Sequence, residues 1–336
     1  MSDMRNHNRN LQGRARARGV SLIELLVAVT IGGLLIFGAT KVYVDSRATY
    51  EVNETAARLQ ETARYAMSVI EPDIRMSNYW GLVKGAGIVI NQAAQTAPPV
   101  TGVAQGCGNN YAHDLQRNLE ANNNAYAIGC AAFGEGAVVS SDTLTVRRAS
   151  NTISSGAATG RLRICSTRIF ATLVTDMSGC TAAPNGQVND LVVNAYYVDR
   201  DSTHRAGLPA LRRHALIAGP AFTSDEIIPG IEDLQVQFGI DPSGTGGSAQ
   251  RYVNPSAIPS GAQIVSVRIW LLVRAENPEV GFRDNRIYEY ADRAAATGTT
   301  ADLNAANAAG RAYAPADGFR RLLVSRTIQI RNALGT

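Results

Sequence analysis

Residues 20–39 read VSLIELLVAVTIGGLLIFGA, an apolar run interrupted by one charge, Glu24. As a helix, a run of about twenty such residues spans the hydrocarbon core of a bilayer. Arg5, Arg9, Arg14, Arg16 and Arg18 precede it against Asp3 alone, and Lys41 and Asp45 follow. The positive-inside rule keeps residues 1–19 in the cytoplasm and sends the C-terminus across. The same arginines account for the whole formal net charge of +4, because the remaining 27 basic and 27 acidic residues balance. The charge therefore makes no case for direct nucleic-acid binding.

A secretory signal is cut after its apolar stretch, at a small-x-small site. Here the distinctive residues stand at the front. Gly19 closes the basic segment, and Glu24 sits inside the apolar run. A carboxylate at the centre of a bilayer costs about 2.5–3.5 kcal/mol. Cleavage after Gly19 would create a positive N-terminus on Val20 and make Glu24 the fifth residue of the mature chain. In a bundle of such helices, the amine of one subunit can pair with the carboxylate of its neighbour and set the register.

The segment Arg18-Gly19-Val20-Ser21-Leu22-Ile23-Glu24 resembles the class III leader and methylation motif of type IV prepilins and pseudopilins. Val20 stands where that family usually has Phe. The resemblance implies a prepilin peptidase that cuts between Gly19 and Val20 and methylates Val20. It also implies that the apolar helix is kept as the filament core and that Glu24 serves assembly. A plain signal anchor is the alternative reading of the span.

Beyond Lys41 the spacing of Val52, Ala56, Leu59, Ala63, Ala66 and Ile70 marks one helix face. Pro72 predicts an end or kink near Glu71. A continuous helix from Ser21 to Glu71 would be about 75 Å long. Gly32, Gly33 and Gly38 weaken its membrane part. With 336 residues, 45% hydrophobic and 18% charged, the chain can also bury a sizeable core. After Trp80 come short runs broken by Gly, Pro, Asn and Ser: 142–148, 161–165, 191–198, 234–240, 264–274 and 321–331. Several alternate with period two, as in an antiparallel sheet with one covered face. The expected fold is α+β, with the helix of residues 42–71 packed on that sheet.

The C-terminal half carries a second resemblance. Ile228–Asp241 (IPGIEDLQVQFGID), Val267–Arg274 (VRIWLLVR) and Gln329–Asn332 (QIRN) are similar to strands of the PilW group of minor pilins. This implies a type IV pilin-like fold and a place in pilus assembly, priming and the pilus tip. Twitching motility, adhesion or DNA uptake would follow. The implied partners are the inner membrane, the prepilin peptidase, other minor pilins, the major pilin and the assembly machinery. The protein would pass from the inner membrane, head in the periplasm, to the cell surface. A minor pseudopilin of type II secretion and a signal-anchored periplasmic binding protein or adhesin are the alternatives. The expected organisation is a leader (1–19), a transmembrane helix (20–41) and an amphipathic helix (42–72). A β-rich head (73–336) follows, with insertions at about 91–136 and 294–317.

Cys107, Cys130, Cys165 and Cys180 form no CxxC pair. In the periplasm disulfides are expected, and four cysteines allow three connectivities. The sequential one, Cys107–Cys130 with Cys165–Cys180, closes the shortest loops. A structural zinc site is its rival. His7, His113, His204 and His214 are scattered. His204 and His214 lie among Arg205, Arg212 and Arg213 and read as a solvated basic loop. Asp241, in a Gly/Ser-rich stretch, reads as a turn and lacks the spaced carboxylates of a calcium loop. No HExxH, GxSxG, Walker or GxGxxG pattern is present. Neither an enzyme nor a bound cofactor or metal is therefore expected.

Overall fold

The computed structural model describes residues 19–101, 105–154, 160–175, 177, 180, 186–219, 221–244, 247–304 and 310–333. The arginine-rich leader expectation, apart from Gly19, lies outside these residues. One helix, α1 (Leu22–Arg75), dominates the N-terminal part. The chain divides into two compact units, 1–54 and 55–336.

In the first unit the apolar side chains face outward. Leu22 is 81% exposed, Leu34 73% and Phe37 71%. Such surface is unfavourable in water by about 25 cal/mol per Å². Its length and composition suffice to cross a membrane, a test that a signal sequence also passes. Thr30 turns its hydroxyl to Val27 O at 2.9 Å, so this polar group needs no external partner.

In the second unit α1 buries Leu59, Ala63, Ala66, Met67, Ile70 and Ile74. The spacing matches the expected stripe with one correction. Ala56 is exposed, and the half-buried Thr55 takes its place on the packed face. Pro72 does not end the helix either, which runs on to Arg75. Proline removes only its own N–H, and the following residues still donate; Met76 N bonds to Pro72 O at 3.1 Å. Burial of Asp73 and Ile74 holds this last turn on the core. Asn78, at φ 62°, then turns the chain.

The strands are β1 (Tyr79–Trp80), β2 (Val83–Lys84), β3 (Val89–Ile90), β4 (Leu119–Asn122), β5 (Thr143–Ile153), β6 (Arg163–Ser166), β7 (Ala171–Val174) and β8 (Gln187–Asp199). Then follow β9 (Ala210–Leu216), β10 (Phe222–Pro229), β11 (Ile231–Asp241), β12 (Arg251–Val253), β13 (Gln263–Arg274), β14 (Ala294–Thr300), β15 (Arg311–Tyr313) and β16 (Arg321–Gln329). Each of the six expected runs overlaps one of these strands. The structure adds β9 and β10, and places strands in both expected insertions: β4 in the first, β14 and β15 in the second.

The expected single sheet is two larger ones. An antiparallel four-stranded sheet has the order β12-β11-β13-β16. An eight-stranded sheet contains β3 to β10 and centres on β8, which pairs with β5, β6 and β9. All of its pairs are antiparallel except β3 with β7. Alternation along β8 explains why it is covered on both faces. Tyr196 and Val198 join a core with α1, β11 and β13. Leu191, Val193 and Ala195 join a second core with Trp80, Tyr111, Leu115 and Ile128. The expectation of one covered face fails because the 91–136 segment supplies the second cover.

Candidate functional site

Gly19 and Val20 precede the helix in irregular, exposed backbone. Nothing lies within 4 Å of the place where a Cβ on Gly19 would stand. Glu24 occupies the first turn of α1, where a carboxylate complements the positive end of the helix dipole. All three residues are exposed. A glycine, a short entry and an exposed carboxylate in the first turn thus stand at the start of an exposed apolar helix.

Three ionic clamps stand out among the described residues of the head. The first joins α1 to the large sheet. Asp73 Oδ1 accepts from Arg148 Nη2 at 2.7 Å, and Oδ2 accepts from Asn194 Nδ2 and Tyr196 Oη, each at 2.5 Å. Burial, followed by the adjacent Asp73 charge, raises the Tyr196 pKa. This keeps the phenol a neutral donor.

The other two clamps stem from adjacent residues of β11. Its register shifts between Ile231 and Asp233, and Glu232 sits at that bulge. Arg274 on β13 lies directly opposite Arg321 on β16, a repulsive pairing by itself. Glu232 relieves it: Arg321 Nε donates to Oε2 at 2.5 Å, and Arg274 Nη1 lies 3.6 Å from Oε1. Asp317 takes two further bonds from Arg321, each at 2.7 Å. Asp233 holds the wholly buried Arg293 at 2.7 Å and Tyr290 Oη at 2.5 Å. Burial alone would lower the Arg293 pKa, but the Asp233 carboxylate keeps it above its ordinary value. The two acids thereby fasten the chain between β13 and β16 to the four-stranded sheet.

Cys107 is bonded to Cys130, and Cys165 to Cys180. The reading of His214 as part of a solvated loop is corrected. It is buried on β9, stacked on Tyr197 at 4.9 Å, with Nε2 2.9 Å from Tyr126 Oη. Strand alternation turns it inward, and burial lowers its pKa. His204 is exposed, and His113 is buried with a lowered pKa from desolvation. His7 lies outside the described residues. The Asp241 carboxylate accepts from Ser243 N, Gly247 N and Gln250 Nε2, as in a turn. Among the described residues no three His, Cys, Asp or Glu side chains form a metal-holding group. A polar cleft of about 350 Å³ is lined by Glu135, Asp201, Glu232, Arg274, Asp302 and Asp317, among others, and by no His or Cys. It offers charge and hydrogen bonds.

Two family models match the chain. Residues 14–40 match the prokaryotic N-terminal methylation motif, around Gly19 and Glu24. Residues 195–332 match Type IV Pilus-assembly protein W, from the end of β8 through β16. Together the two matches support a minor pilin of the PilW type. The PilW match contains Glu232, Asp233, Arg293 and Arg321, so both β11 clamps belong to the matched region. Asp73 and the four cysteines lie outside both matches. No curated protein matches the chain. The Type IV-like pilin TTHA1219 from Thermus thermophilus is a distant structural likeness, at 13% identity and a TM-score of 0.34. The likeness covers 82% of this chain and 97% of that one. Sequence reasoning missed all three clamps. The IED triplet at 231–233 signalled two of them, because adjacent acids within an apolar strand need buried cations.

Proposed function

We propose that this PilW-type protein primes and caps type IV pili after its leader is cut between Gly19 and Val20 and Val20 is methylated. The observation that carries the proposal is the exposed Gly19–Val20–Glu24 entry in front of an exposed apolar helix, joined to a PilW-matching head. Residues 1–19 stay cytoplasmic, the apolar part of α1 spans the inner membrane, and the head faces the periplasm. In the growing filament Glu24 pairs with the N-terminal amine of a neighbouring pilin. The low dielectric of the bundle gives that pair its strength and selects the register. Other minor pilins and the major pilin add through the same helix packing, driven by the assembly machinery. Through the tip, the protein supports twitching motility, adhesion or DNA uptake.

Intact-mass analysis of the membrane-extracted protein tests the processing. A chain beginning at N-methylated Val20 is expected; an uncut chain in cells with active prepilin peptidase would overturn the reading. Piliation tests the assembly role. Glu24→Ala should abolish surface pili while leaving head stability unchanged, and wild-type piliation in that variant would exclude the pairing.

A further inference from the structure

The four-stranded sheet turns one face to the core and leaves part of the other open. Val236, Phe238, Val267, Ile269 and Leu271 join the core with α1. Register and strand alternation put Gln237, Arg268, Trp270, Ser325 and Thr327 on the opposite face, together with Tyr252 of β12. Toward Arg274 that face is covered, and Asp233 and Gln235 are fully buried there beside Arg293. Toward Gln263 it opens. Ser325 and Thr327 are exposed, and Tyr252, Gln237, Arg268 and Trp270 are half-buried.

Three side chains on the open part form a platform. The Tyr252 ring lies across β11 at Gly239, where a Cβ would stand 3.0 Å from its Cε1. Ser266 Oγ donates to Tyr252 Oη at 3.3 Å. The Arg268 guanidinium stacks on that ring, with Cζ 3.8 Å from its centroid, and lies 5.8 Å from the centre of the Trp270 ring. Arg268 Nε donates to Thr327 Oγ1 at 3.2 Å, while its two Nη groups and the Trp270 indole N–H donate to no described residue. Stacking fixes the guanidinium before any ligand arrives, which lowers the ordering cost of binding.

The charges select the ligand. β12, β13 and β16 contain no Asp or Glu. Glu232 answers Arg274 and Arg321, and Glu71 answers Arg326, whereas Arg268 has no carboxylate partner. The open face is thus a surface of donors with one positive charge beside an indole. A guanidinium fork matches a carboxylate bidentately, and the C–H face of a sugar ring can lie on an indole as other apolar surface does. The Ser325 and Thr327 hydroxyls and the Gln237 amide suit sugar hydroxyls. A single-stranded nucleic acid would call for several cations along its backbone, and this face offers one.

We propose that the Tyr252–Arg268–Trp270 platform binds acidic polysaccharide, with a uronate ring on the Trp270 indole and its carboxylate on the Arg268 Nη groups. Ser325 and Thr327 meet the hydroxyls of the same stretch of polymer. This deepens the adhesive part of the proposed function and rests on the head's reaching the cell surface.

The chain has two tryptophans, and Trp80 is fully buried, so a ligand-dependent change in emission reports Trp270. The test is a titration of the full-length, detergent-solubilised protein with sodium polygalacturonate, with its methyl ester and with a thymidine oligonucleotide. Polygalacturonate is expected to shift the emission saturably, and the uncharged methyl ester to bind about tenfold more weakly. Arg268→Gln should bring the two polymers to the same affinity. Thr327→Ala, at an exposed position that the fold does not need, should weaken polygalacturonate binding about threefold by freeing the guanidinium. The proposal is overturned if polygalacturonate leaves the emission unchanged, if the methyl ester binds as tightly, or if the oligonucleotide binds more tightly than the polyuronate. It is also overturned if Arg268→Gln keeps the wild-type preference. The titration needs no pilus, so its outcome is independent of whether Glu24→Ala abolishes piliation.

Discussion

The two halves of α1 are one continuous helix made for two solvents. Up to Tyr50 its large apolar residues stand exposed, and Ile36 is 70% accessible; farther on, Ala66 and Ile70 are fully buried. The difference lies in how apolar residues are distributed around the helix. Through Ala39 the helix is apolar nearly all round, which no single protein face could cover. The second half narrows to one stripe that the strands cover. The same kind of side chain should therefore matter for head stability in one half and for filament or bilayer packing in the other.

The largest effect should come from Asp73, in the final turn. Asp73→Asn leaves Arg148 without its buried counter-ion and should cost about 3–5 kcal/mol, read as a lower denaturation midpoint. A change within experimental error would show that the clamp adds nothing to the docking of α1.

Paired truncations sharpen the comparison directly. Ile70→Ala should cost about 2–5 kcal/mol of head stability, whereas Ile36→Ala should leave the same denaturation curve unmoved. Equal losses would break the division of the helix into two solvents.

Acid should act on the head as well. Burial by itself would raise the pKa values of Glu226 and Asp317. Hydrogen bonds from Thr203, Ser202 and Arg212 to Glu226, and from Arg321 to Asp317, hold both below the ordinary range. Their stabilisation is complete above about pH 5 and is lost as pH falls through the folded-state values. Tm measured from pH 7 to pH 3 should drop at the acid end, and Glu226→Gln should flatten part of that drop. The smallest effect belongs to the apolar half: Gly33→Ala should gain at most about 1 kcal/mol of helix stability, visible as helicity of the micelle-bound protein.

Much of this architecture was legible in local pattern. The apolar run, the stripe from Leu59 to Ile70 and strands such as 264–274 announce themselves through periods of 3.6 and two. The misreadings share a cause. β9 carries Arg212, Arg213 and His214, and β10 carries Asp225 and Glu226, so both look like solvated loop. Arg212 pairs with Glu226 across the two strands, at 3.1 Å, and each makes the other tolerable inside a sheet. Pro72 misled because helix propensity weighs one residue, whereas the turn after it is held by Asp73 and Ile74.

By itself the sequence determined the membrane-length helix, its Gly19–Glu24 entry and the α+β class, because these rest on contiguous residues and short periods. Only the tertiary structure decided that the large sheet is covered on both faces, that Glu232 and Asp233 clamp different arginines, and that His214 is buried. Those outcomes depend on which distant side chains meet, and on whether a buried charge finds its partner.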